Sequence, residues 1–197
     1  IEWLSQDAAG HRNELQDLFR GLRQRSTELG VFAADVIKST QENREQPSPQ
    51  TIDLSHWLPE QNPDAFVVPD SVTLPKIKVA PSYLKMSVSA CRRILMAVGD
   101  SEAPITVATE PSNRSRYTAI SFSVRVTAAE ARNTFERLGK SLEQGEGREA
   151  DDSGAVSATK LQWALLESAT GKLHGTVTTS FEDESGRIGL ELPEAET

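Results

Sequence analysis

Residues 155–193 read AVSATKLQWALLESATGKLHGTVTTSFEDESGRIGLELP, and this stretch decides the fold. Its first half, Ser157 to Thr170, carries Leu161, Leu165 and Leu166 at helical spacing with Trp163 beside them, so it is expected to be a helix. Gly171 and Gly175 then break the helical period. Leu173 to Phe181 and Arg187 to Leu192 alternate between apolar and polar residues around Asp183-Glu184-Ser185-Gly186, the pattern of an antiparallel hairpin.

Working upstream, the same two periods alternate. Ala128 to Leu142 reads as a helix with Ala131, Phe135 and Leu138 inward, and Tyr83 to Gly99 as another, through Leu84, Val88, Cys91, Leu95 and Val98. Between them Ile105 to Thr109 and Tyr117 to Val126 form a second predicted hairpin, with Ile120, Phe122, Val124 and Val126 on one face. Thr51 to Leu58 reads as a short strand entering a helical turn that Pro59 closes, and Ala65 to Val68 and Ser71 to Val79 are β-rich. Glu143 to Gly154 is acidic, bears glycine and has no apolar period, so a mobile loop is expected.

The first segment differs from the rest. Ile1, Ala8, Leu15, Leu22, Leu29 and Val36 fall in one column of a seven-residue repeat, with Leu4, Leu18 and Phe32 three positions on, which is a coiled-coil seam. His11, Arg25 and Ser39 share the second column, and polar residues there set register or partner number. Gly10, Gly21 and Gly30 each weaken the helix by about 1 kcal/mol relative to Ala, so the seam needs a partner helix. Gln46-Pro47-Ser48-Pro49 ends it and serves as a linker. Because the chain opens on Ile1 in mid-pattern, it is expected to be a fragment of a longer protein.

Bulk properties narrow the function. A formal charge of −8 and a pI near 5.0 argue against phosphate-neutralising surfaces, and hence against nucleic acid or anionic membrane as partners. The single cysteine, Cys91, excludes an internal disulfide framework, fits a reducing, cytoplasmic compartment and reads as a buried structural thiol. No apolar run reaches the length of a membrane span. His56 and His174 lack Cys, Asp or Glu at ligand spacing, so no metal is expected, and no Walker or Gly-x-Ser-x-Gly pattern is present.

The order of elements, with Ala155 to Thr170 leading into Gly171-Lys172-Leu173-His174-Gly175-Thr176-Val177 and the chain closing on Leu190-Glu191-Leu192-Pro193, resembles the ATP-binding domain of sensor histidine kinases. Arg92-Arg93-Ile94-Leu95-Met96-Ala97-Val98 followed by Ile105-Thr106-Val107 is similar to that family's asparagine-bearing helix and the strand after it. The resemblance spans residues 51–193. It implies a Bergerat-type sandwich and, in active members, a magnesium ion held by oxygen ligands against nucleotide phosphates.

Against the family pattern this chain departs in three places. Ala97 and Ser101 stand at the two asparagine positions of the metal-binding helix. The adenine-reading Asp-x-Gly-x-Gly is missing, since Val126 is followed by Thr127-Ala128-Ala129-Glu130-Ala131, directly into a helix. The phosphate-wrapping glycine box is reduced to Ser153-Gly154-Ala155 behind Asp151 and Asp152, whose charge would repel a triphosphate. No bound cofactor is therefore expected. The resemblance also makes His11 the candidate phosphoacceptor, with a neutral imidazole nitrogen as nucleophile. Kinases usually follow that histidine with an acid. Here Arg12 takes the position, and the heptad places His11 on the seam as a polar core residue.

The fold expected is α+β: a dimerisation helix over 1–46, then a degenerate ATPase-like domain over 51–197 built as a two-layer sandwich with a mixed sheet. The function expected is a non-catalytic, histidine-kinase-like module of two-component signalling, homodimeric through its helix and docking a response regulator or a partner kinase. Two enzymatic readings stand beside it: a histidine phosphotransferase relaying phosphoryl groups through His11, and a sensor kinase domain with an atypical ATP site.

Overall fold

The computed structural model describes residues 48–61, 65–100, 103–129, 132–133, 135–136 and 154–195, with side chains of the last span from Thr159, together with Arg23, Thr27, Gly30 and Ala34. Its elements run β1 (Gln50–Asp53), α1 (Leu54–Gln61), β2 (Phe66–Val67), β3 (Lys76–Val79), α2 (Pro81–Val98), β4 (Ile105–Glu110), β5 (Tyr117–Arg125), α3 (Gly154–Lys172), β6 (Thr176–Glu182) and β7 (Ser185–Pro193). The main sheet has the order β2-β4-β5-β7-β6; β2 runs parallel to β4 and every other pair is antiparallel. That makes it mixed, as expected. The hairpins β4–β5 and β6–β7 are those the alternation implied.

One face of this sheet is apolar because the strands alternate with period two. Ile105 and Val107, Ile120, Phe122 and Val124, and Ile188, Leu190 and Leu192 all point inward and are buried. Helices α2 and α3 cover them and pack chiefly against each other. Facing both the sheet and α3, α2 buries a wide stripe, Leu84, Ser87, Val88, Ala90, Cys91, Ile94, Leu95 and Val98. The two buried hydroxyls at the helix contact satisfy each other, Thr170 Oγ1 donating to Ser87 Oγ at 3.1 Å. Burial pushes the Cys91 thiol far above its ordinary range, so it is an apolar filler of the core.

The opposite face is polar and tied by charge. Arg187 donates to Glu110 at 2.8 Å, spanning β7 to β4 across β5. Glu191 accepts from the Ser112 hydroxyl and from Thr176 Oγ1 at 3.0 Å, with Arg114 at 3.5 Å, and Arg114 also lies 3.7 Å over the Tyr117 ring.

Two local expectations need correction. Pro59 does not close its turn, because α1 runs on to Gln61; Leu54 and Leu58 anchor the helix in the core while the proline ring stays exposed, at the loss of one backbone bond. The β-rich run from Ser71 yields a strand only from Lys76, since Pro75 has no N–H for a ladder and a turn closes from Val72 N to Pro69 O at 2.9 Å. The strand β3 stands apart from the main sheet. It pairs with β1 in a separate two-stranded ribbon, fastened to the end of β7 by an Ile77–Glu194 bridge. Of the first 47 residues, Arg23, Thr27, Gly30 and Ala34 are described; they are helical, exposed and outside the two seam columns. The seam itself and the segment 143–153 lie outside the described residues.

Candidate functional site

The C-terminal end of α2 and the segment leaving β5 are fixed to each other. Gly99 caps α2, its N–H donating to Leu95 O at 2.7 Å, and it lies so near β5 that a Cβ there would stand 2.6 Å from Val124 Cγ2. Asp100 follows with its N–H on Arg125 O at 2.9 Å. Its carboxylate oxygen Oδ1 accepts both from Thr127 N at 3.1 Å and from Thr127 Oγ1 at 2.9 Å. These two bonds hold the Asp100 carboxyl below the usual carboxylate range, the backbone donor contributing most.

Beyond Asp100 the path is apolar. Val126 is buried, and its N–H donates to Glu184 O at 2.8 Å, pinning the end of β5 to the β6–β7 turn. A Cβ on Gly186 would meet Val126 Cγ2 at 3.2 Å and the Phe135 ring at 3.5 Å, so valine, glycine and phenylalanine close on one another. Phe135 is itself buried and packs on Phe181 with ring centroids 6.4 Å apart, and the Arg132 guanidinium sits 4.9 Å over the Phe181 ring. Arg132 N bonds to Ala128 O at 3.0 Å, so the chain enters helix at once after Thr127, as its sequence implied.

Of the residues singled out by sequence, Ala97 stands exposed on the last turn of α2, and Gly154 begins α3. His11 and Ser101 lie outside the described residues. The structure thus ties the end of α2, three residues beyond Ala97, to the segment after β5 through Asp100 and Thr127. His56 lies exposed, 3.6 Å from Asp53, and His174 is exposed with a left-handed φ of 58° at the end of α3. Among the described residues no three His, Cys, Asp or Glu side chains are grouped to hold a metal ion.

One residue of this region, Asp100, escaped the sequence reading, although a short polar side chain after a glycine commonly bonds to neighbouring backbone, a local signal that was legible. Phe135 was read as inward, but that it meets Gly186 is tertiary and had no local sign. On the other side of the same sheet end, an open groove of about 800 Å³ runs past Asp100, Thr106, Ser123, Arg125, Asp183 and Glu184. Among the described residues its close charge pair is Arg125 with Glu184, at 3.5 Å and exposed. Such a pair is worth little in water. No helix among the described residues is long and apolar enough to cross a membrane.

No protein-family model matches the chain, and no curated protein matches it in sequence. Solved structures do match. A histidine kinase of Acinetobacter baumannii, AdeS, superposes with a TM-score of 0.52 at 11% identity, over 91% of this chain and 85% of that one. Full-length ShkA, solved in complex with AMPPNP, superposes with a TM-score of 0.50 at 16% identity, over 86% of this chain and 36% of that one. At these identities the likeness is one of fold.

Proposed function

From the fold of a histidine kinase catalytic domain, we propose that this chain is a non-catalytic, kinase-like module of two-component signalling. The observation that carries the reading is the state of the segment after β5. Where an active domain needs a polar side chain to read an adenine, this chain has a buried Val126, which shares the space beside Gly186 with the buried Phe135, and both donors of Thr127 are held by Asp100. A purine amine would meet an apolar wall there. Unmaking that wall means exposing a buried phenylalanine, which costs about 1.5–3 kcal/mol.

The residues present do not fit a magnesium nucleotide. Ala97 has no ligating atom, and Asp100, the carboxylate nearest to it in sequence, has its Oδ1 turned to the two donors of Thr127. Asp151 and Asp152 before α3 oppose a triphosphate by charge in the sequence. On this reading the domain acts by what it presents. The helix 1–46 forms a homodimer in the cytoplasm, and the sandwich 51–197 docks a response regulator or a partner kinase. Signal passes as a change between two packings of the helix.

Titration calorimetry with Mg-ATP tests the reading, and no heat of binding is expected at ligand concentrations up to the millimolar range usual for weak sites. Saturable binding in the micromolar range would overturn it. The relay reading through His11 makes a separate expectation: label would pass from a phosphorylated response regulator to this chain and be abolished by His11→Ala.

A further inference from the structure

The two edges of the main sheet are unequal. On one side β2 is two residues long and is followed by Pro69, so little backbone is open there. On the other, β6 runs seven residues, Thr176-Val177-Thr178-Thr179-Ser180-Phe181-Glu182, in unbroken register with β7 and without Lys, Pro or a bulge. Among the described residues nothing pairs with its outer side. Long flat edges of this composition are templates for another strand, and proteins ordinarily blunt them.

Which backbone groups face outward follows from the turn. Asp183 and Glu184 both have left-handed backbone, φ 47° and 59°, the two-residue loop that matches strand twist. Glu182 and Ser185 therefore close it as a hydrogen-bonded pair, and by alternation Thr176, Thr178, Ser180 and Glu182 turn their backbone toward β7. Val177, Thr179 and Phe181 turn theirs out.

We infer that β6 pairs antiparallel with β6 of a second copy of this chain, centred on Thr179, making one continuous sheet across the two molecules. The strand is complementary to itself in that register. Val177 falls opposite Phe181 of the second copy on the helix-covered face, and both are only half-buried in the single chain. Thr178 falls opposite Ser180 on the polar face. Glu182, the strand's one charge, lands opposite Thr176, with the two Glu182 side chains roughly 20 Å apart at the usual rise per residue, well beyond screening range. Charge is complementary at the ends: the acidic run Glu182-Asp183-Glu184 of one copy lies beside the exposed His174 and Lys172 of the other. Three pairs of outward residues supply the ladder, so the contact is small and the association weak.

Sedimentation of the full chain across a concentration series, with thiol crosslinking, tests the pairing. Expected is association that Thr178→Glu weakens roughly tenfold, since it sets each new carboxylate diagonally across the new ladder from its own equivalent and from Glu182 of the second copy, with no change in melting temperature. Expected as well is a disulfide-linked dimer from Thr179→Cys under oxidation and none from Val67→Cys on the opposite edge; buried Cys91 stays out of the reaction. Association unmoved by Thr178→Glu, or crosslinking by Val67→Cys as fast as by Thr179→Cys, would overturn it. Dimerisation through the N-terminal helix is indifferent to all three substitutions, so the two contacts are told apart.

Discussion

Glu191 shows how much of this fold hangs on single side chains. It stands on the polar face of β7, half-buried, and gathers Ser112, Thr176 and Arg114. The Ser112 hydroxyl, then Thr176 and Arg114, hold its carboxyl below its ordinary value of 4.5 against the opposing effect of burial. A carboxyl depressed on folding stabilises the protein above the unfolded value, and that stabilisation is lost as pH falls through the folded one. Urea unfolding at intervals from pH 7 to pH 3 should therefore show a steady loss of stability below about pH 4.5. Glu191→Gln should cost about 1 kcal/mol at pH 7 and flatten that acid limb. Gly99 is a residue of the opposite kind, conspicuous for the atom it lacks. Its backbone is within ordinary limits, and what forbids a side chain is Val124 on β5 and the Leu95 carbonyl. Gly99→Ala should lower stability by about 1–3 kcal/mol, as overpacking does, measured by thermal or denaturant melts.

Among the elements, those with long, clean periods were legible. The helix α2 and the two hairpins came from alternation and helical spacing that tertiary contacts only confirmed. Residues 50–79 were legible only in part, because the short apolar runs around Ile52, Phe66 and Ile77 do not say which strand they will meet. The ribbon β1–β3 depends on long-range pairing, and Pro75 decides where β3 starts. At the candidate site the empty positions, Ala97 and the missing glycines after Val126, were plain in the sequence, because absence of a ligating atom is a local property. What occupies the space was not. Phe135, on the helical segment that follows Thr127, comes to lie beside Gly186 of the β6–β7 hairpin, a placement with no local signature. Phe135→Ala should cost about 3–5 kcal/mol for a large buried aromatic and should leave Mg-ATP binding undetectable, since Ala97 still offers no ligand. Melting curves and calorimetry on one preparation check both halves.

For the whole molecule, the proposed function turns on whether the sandwich is held in pairs. The heptad columns through Leu22 and Leu29 are the expected contact. Replacing both with Asp should reduce the sedimenting mass of the dimer to that of one chain while leaving the circular dichroism of the sandwich in place. One feature of the sheet also bears on how the molecule is made. Its central strand β5 takes all nine partners on one side from β7, Tyr117 meeting Pro193 and Arg125 meeting Ser185. On the ribosome, β5 must wait while some sixty further residues are synthesised before that ladder can zip, so the apolar face of residues 117–125 remains without its partner for seconds at ordinary translation rates. The β4–β5 hairpin can form early and alone, but a two-stranded ribbon is marginal in water. Birth of the domain is thus a late, concerted closure set by the arrival of Ile188, Leu190 and Leu192.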